Sequence, residues 1–135
     1  MNALLTPLRR YVDFRGRSSR REFWGFVVAV IVVEFLLAIV DHWLGFGYLQ
    51  RSWYSYQWEL VGMADWNGGF LTVAFWLGVL IPMLAVTVRR LHDGNHTGVW
   101  LLIAFVPLVG WLVLLIFYLQ PSWPVTNRWG APPAA

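Results

Sequence analysis

The 135-residue chain contains no cysteine, which excludes disulfides, thiolate metal sites and cysteine nucleophiles at once. Lysine is missing as well: each of the ten basic residues is arginine, so the pI near 9.8 comes from guanidinium groups. Charge of either sign is scarce, at 13% of residues. Most arginines flank apolar segments instead of forming the basic face of a soluble module. That placement favours anionic lipid headgroups and argues against nucleic acid. No phosphate-cradling glycine loop, dinucleotide motif or nucleophile–base–orienter set stands out, so no cofactor is expected. The first 22 residues lack the pattern of a secretory signal peptide, because the apolar stretch behind them is too long for a signal core.

What is there is apolar. Hydrophobic residues make up 59% of the chain and aromatics 18%, where a soluble domain carries about 45–50% apolar residues. The expected fold is an all-α membrane protein, one integral membrane domain over residues 1–135 with three transmembrane helices. The first span covers residues 23–44, FWGFVVAVIVVEFLLAIVDHWL, long enough for a bilayer that takes about 20 apolar residues to cross. Ser19 and Glu22 precede it with the spacing of a capping box. The second span covers residues 70–88, with Pro82 inside. The third covers residues 99–119, with Pro107 and Gly110 near its middle and Pro121 at its end.

The connections are informative too. Leu4, Leu5, Leu8, Tyr11 and Val12 fall at helical spacing beside Arg9 and Arg10, as in a short N-terminal helix lying in the headgroup layer. Pro7 leaves a frayed tail equally open, and Gly16 marks a bend before the first span. Residues 45–69 form an aromatic-rich extracytoplasmic loop carrying Tyr48, Trp53, Tyr54, Tyr56, Trp58 and Trp66, with a short helix possible over 53–63. RRLHDGNHTG after the second span reads as a tight polar loop. Arginine counts set orientation: six in the N-terminal segment and two after the second span, against Arg51 in the long loop and Arg128 in the tail. Three spans then put the N-terminus in the cytoplasm and the C-terminus outside. Pro107 and Gly110 also suit a re-entrant hairpin, which would return the tail to the cytoplasm.

Two acids lie in the first span. Glu34 and Asp41 are seven residues apart on one helix face. A carboxylate near the bilayer centre costs about 2.5–3.5 kcal/mol on insertion scales and is a functional hypothesis by default. For Glu34 an ion or proton relay competes with a structural role, such as accepting from the indole N–H of Trp76 or Trp111. Asp41, near the span's end, is expected to snorkel to the interface. His92 and His96 have the i, i+4 spacing of a zinc helix, but Gly94 and Asn95 between them argue for a turn, and no third ligand is evident. Metal is therefore not expected. Asp93 and Asn95 suit turn hydrogen bonds and Thr97 suits a side-chain cap on the third span, while Arg89 and Arg90 are left for headgroup phosphates or for pairing with Glu22 or Asp93.

Four stretches carry a resemblance: FRGRSSRREFW at residues 14–24, RRLHDGNHTGVW at 89–100, VPLVGW at 106–111 and NRWGAP at 127–132. In this order they resemble the bacterial "domain of unknown function 805" family, small proteins of the inner membrane, over nearly the whole chain. Val99 stands where that family commonly has an aromatic, and SWPVT at 122–126 where it tends to be glycine-rich. The resemblance implies a multi-pass helical protein of the bacterial inner membrane and supplies no activity. Since the first two stretches share the predicted cytoplasmic face, Arg17, Arg20, Arg21, Glu22, Arg89, Arg90, His92 and Asp93 are expected to meet there as a polar cluster. Three functions remain open: a self-associating scaffold whose arginines engage anionic lipid or a partner, an oligomeric transporter using Glu34, and a membrane enzyme with a site on the His92/His96 loop.

Overall fold

Two apolar runs each fold as one long helix, the second continuing through Gly78 and Pro82. The computed structural model describes residues 6–45 and 69–133. Its elements are α1 (Thr6–Arg9), α2 (Arg20–Trp43), α3 (Phe70–Asp93), a 3-10 helix (Gly98–Phe105) and α4 (Val109–Leu119). At 24 residues each, α2 and α3 extend about 36 Å at 1.5 Å per residue. Both are long and apolar enough to cross a membrane, and α4 is a shorter apolar helix. Their exposed residues include Ile31, Phe35, Leu36, Leu77 and Leu80, the surface expected of helices solvated by lipid. The aromatic loop and the first five residues lie outside the described residues.

Local chemistry explains the ends. The Glu22 N–H donates to Ser19 Oγ at 3.2 Å, which is one half of the expected capping box, while the Glu22 carboxylate lies 3.5 Å from Arg89. The chain bends at Gly16, where φ is 82°. Beyond the expected end at Val88, α3 continues to Asp93. RRLHD is thus the last turn of a helix and not part of a loop, since no helix breaker arrives before Gly94. Asn95, at φ 62°, reverses the chain there, with the His96 N–H donating to the Leu91 carbonyl at 2.9 Å. Thr97 caps through its backbone carbonyl, which accepts from the Trp100 N–H at 3.1 Å, and makes no side-chain cap.

The third apolar stretch departs most from expectation. A single continuous helix over 99–119 does not form. The 3-10 helix stops at Phe105, the chain turns through 106–108, and α4 runs back along it. Phe117, near the end of α4, stacks on His96 with centroids 4.0 Å apart, and Trp100 meets the same ring edge-on at 5.3 Å. Pro107 supplies no N–H, and Leu108, at φ 63° and ψ −63°, makes a γ-turn in which the Val109 N–H donates to the Pro107 carbonyl, so the ladder breaks where the sequence placed its proline. At Gly110 the arms touch: a Cβ there would lie 1.8 Å from the Ile103 carbonyl oxygen.

Two compact units result, residues 1–28 with 81–135, and residues 29–80. In the first, Phe23, Phe26, Ala85, Val86, Leu91 and Leu114 are buried, with Phe23 4.8 Å from the Tyr118 ring. In the second, Val30 and Val79 are buried, together with the polar groups of Asp41 and Thr72.

Candidate functional site: an arginine–aspartate clamp

Arg90 and Asp93 are three residues apart and share a face of the last turn of α3. Asp93 is fully buried between two guanidinium groups: Arg17 Nε donates to its Oδ1 at 2.9 Å, and Arg90 Nη1 to its Oδ2. Neither arginine stops at the carboxylate. Arg17 Nη1 donates to the carbonyls of Val125 at 2.9 Å and Gly130 at 3.3 Å, and Nη2 to those of Trp123 and Asp93. Arg90 donates to the Tyr118 carbonyl at 3.0 and 3.2 Å and to the Gln120 carbonyl. Arg20 Nη1 reaches the Leu119 carbonyl at 3.3 Å.

These acceptors have a common origin. The last carbonyls of a helix lack intrahelical partners and carry the negative end of its dipole. Arg90 and Arg20 cover the end of α4, and Arg17 covers the end of α3 and holds the tail. Lysine could not replace them, because a planar fork of five donors engages several acceptors at once. The tail completes the clamp. The Trp123 N–H donates to the Asp93 carbonyl at 3.1 Å, and Asn127 Nδ2 to the His92 carbonyl at 2.9 Å. The Trp129 ring stacks on His92 at 4.4 Å, and the Arg128 guanidinium lies over the same indole, 4.0 Å from its centroid. The tail therefore packs on Arg17 of the N-terminal segment and on the end of α3.

Of the eight residues expected to cluster, the structure gathers Arg17, Arg20, Arg90, His92 and Asp93 in hydrogen-bonded contact with one another or with the same backbone. Arg89 and Glu22 pair beside them at 3.5 Å. Arg89 is fully buried, and among the described residues none of its side-chain nitrogens has a hydrogen-bond partner. Arg21 is exposed, as are Arg9, Arg15, Arg20 and Arg128. Burial removes Arg17, Arg89 and Arg90 from the set able to meet headgroups. Nearby, the Arg15 backbone N–H and then the Arg10 guanidinium hold the Asp13 carboxyl below its usual pKa.

The histidines are occupied as well. His92 Nδ1 lies 3.3 Å from the Gly16 carbonyl; a carbonyl only accepts, so that nitrogen carries the proton. His96 lies against Phe117, and burial pushes its pKa down. Among the described residues no three His, Asp or Glu side chains gather as a ligand set.

The intramembrane acids belong to the second unit. Trp76 Nε1 donates to Glu34 Oε1 at 2.8 Å, while Trp111 donates to the Ala104 carbonyl instead. Asp41 does not snorkel. It is buried and accepts from the N–H of Leu71 at 3.1 Å and from the N–H and hydroxyl of Thr72 at 2.9 and 2.8 Å, so a carboxylate of one helix caps the start of the next. Gly69 permits the approach, since a Cβ there would fall 2.3 Å from Asp41 Cγ.

Fold and clamp together define a small helical membrane protein in which the buried Arg17 and Arg90 bind its own backbone. Residues 11–131 match the family described as "Protein of unknown function (DUF805)", and the chain belongs to that family. It is 35% identical over 133 residues to the inner membrane protein YhaH of Escherichia coli K12, covering 98% of this chain and 97% of that one. To the inner membrane protein YhaI of the same strain it is 33% identical, with 98% and 96% covered. The uncharacterized protein YiiR matches over 104 residues at 33% identity, 76% of this chain and 53% of its own length. No solved structure matches. The chain is an inner-membrane protein with at least two candidate spans.

Proposed function

We propose that this protein is a non-catalytic, self-associating scaffold of the inner membrane whose cytoplasmic N-terminal segment binds anionic phospholipid. The observation that carries this reading is the division of the arginines. Arg17, Arg89 and Arg90 are buried within the protein, while Arg9, Arg15, Arg20 and Arg21 are exposed among exposed Leu8, Tyr11, Val12 and Phe14. Arginine interleaved with apolar side chains suits a membrane surface, where each basic residue contributes about 1 kcal/mol toward anionic lipid. The excess of arginine supports a cytoplasmic location for that segment. Self-association follows from Glu34, only partly covered in an apolar helix; a helix–helix interface is the cheapest shelter for it.

Native mass spectrometry of protein released from lipid nanodiscs tests both parts. The wild type is expected as an oligomer retaining anionic lipid. A variant with Arg9, Arg15 and Arg21, which lie outside the clamp, changed to Gln should keep the oligomer and lose most of the lipid. A monomer, or unchanged lipid retention in the variant, contradicts the proposal.

A second reading, transport along a path lined by Glu34, is favoured by the same partial exposure. Glu34→Gln separates the two: flux in proteoliposomes would vanish if the acid relays an ion, whereas a scaffold would retain its oligomeric state and lipid.

A further inference from the structure

We propose that residues 98–119 form a re-entrant hairpin, which inserts into the acyl chains of a single leaflet and returns, so that the C-terminal tail emerges on the side of the N-terminal arginine segment. The proposal does not depend on lipid headgroup binding by the exposed arginines.

Length decides first. Eight residues of 3-10 helix reach about 16 Å at 2.0 Å each, and the eleven of α4 also reach about 16 Å at 1.5 Å each. The hydrocarbon core is about 30 Å thick. Each arm therefore reaches roughly the midplane, and neither crosses.

Both ends of the hairpin are fastened to the same cluster. At its start, the His96 N–H bonds to the Leu91 carbonyl of α3; at its finish, the Tyr118, Leu119 and Gln120 carbonyls accept from Arg90 and Arg20. The tail then binds Arg17, Asp93 and His92. A chain that leaves and rejoins one cluster has not traversed the bilayer.

The surface between those ends suits hydrocarbon and not water. No Asp, Glu, Arg, Lys or His occurs from Val99 to Leu119. The tip is the most exposed apolar part, with Phe105 and Leu108 each 86% accessible, and Leu102, Val109 and Leu112 exposed along both arms. Apolar surface spread around both arms fits lipid, whereas a second copy would cover one face.

The broken backbone is the independent sign. In hydrocarbon, unpaired backbone groups each cost several kcal/mol, so irregular chain survives there only when its groups are satisfied. Here the Val106 N–H donates to the Ile103 carbonyl at 2.9 Å, the Val109 N–H to Pro107 at 2.7 Å and the Gly110 N–H to Val106 at 3.0 Å. Proline at position 107 removes one donor. Trp111 Nε1 crosses between the arms to the Ala104 carbonyl at 2.9 Å. The turn's backbone donors are thus met within the hairpin, as a place in hydrocarbon requires.

The cysteine-free chain makes the test direct. Single variants Val12→Cys and Ala131→Cys are exposed to a membrane-impermeant maleimide in intact spheroplasts and in inverted vesicles. Both should label in the same preparation and be spared in the other; labelling in opposite preparations overturns the hairpin. A fluorophore on Leu108→Cys, in nanodiscs containing nitroxide-labelled lipids, should be quenched most by nitroxides near the acyl-chain ends. Loss of that quenching, or quenching strongest at the headgroup, would overturn the insertion.

Discussion

Asp93 and Asp41 are both fully buried aspartates in a chain with little charge, yet they are stabilised by different means. Asp93 lies between two guanidinium groups that also hold the ends of two helices and the tail. Asp41 meets no cation among the described residues and is held by two backbone N–H groups and a hydroxyl at the start of α3. Removing Asp93 strands two buried positive charges, whereas removing Asp41 opens one helix end. Glu34, with one indole donor, is the least engaged of the three. An acid buried in an apolar protein is thus not by itself a functional site: what it is bonded to ranks its importance.

The largest effect should come from Asp93→Ala. Breaking a buried ion pair by removing one partner costs about 3–5 kcal/mol, enough to abolish monodisperse protein on size exclusion in mild detergent. If Asp93→Ala runs and melts as wild type, the clamp does not organise the unit. Next, Asp41→Ala should lower stability by about 1–2 kcal/mol through the lost cap, and Gly69→Ala by about 1–3 kcal/mol through overpacking against the carboxylate. Thermal unfolding checks both, and a Gly69→Ala protein as stable as wild type would show that the close approach is not maintained. Trp76→Phe removes one hydrogen bond from Glu34 and should cost about 0.5–1.5 kcal/mol; a larger loss would raise Glu34 to the rank of Asp41.

The smallest effect is pH-dependent. Burial lowers the His96 pKa from its ordinary 6.5, so the unfolded chain takes up the proton more readily than the folded one. The associated stability is complete above about pH 6.5 and is lost as pH falls through the folded value. Melting temperature measured across this range should fall less on acidification for His96→Phe, which keeps a ring against Phe117. An identical pH dependence in both proteins would contradict the assignment.

How far this was legible in the sequence follows from the same residues. The two long helices were, because α2 and α3 are continuous apolar runs, and so was the Ser19 cap. The Glu34–Trp76 bond was visible as one of two options, since counting depth through antiparallel helices brings both tryptophans near the acid. Asp41 was misread because its partners are backbone N–H groups about 30 residues onward, and no residue type advertises a backbone donor. In the third stretch the break was legible only as an alternative to one continuous helix, because apolarity measures solvation and not continuity. Pro107 and Gly110 signalled a break, but only the contact of Gly110 with Ile103 distinguishes a hairpin from a kinked span. The tail's role was carried by NRWGAP, whose Asn127 and Trp129 hold His92, yet nothing in the order of residues joined it to RRLHD.

One substitution tests most directly whether the arginine cluster is architecture or a binding site. Arg17→Lys keeps the charge beside Asp93 and loses the fork that reaches Trp123, Val125 and Gly130. Its thermal stability and its retained anionic lipid should be measured on the same nanodisc sample. Stability should fall by roughly 2–4 kcal/mol, with lipid retention per folded molecule unchanged. Normal stability with the lipid lost would contradict this and make the clamp a headgroup site.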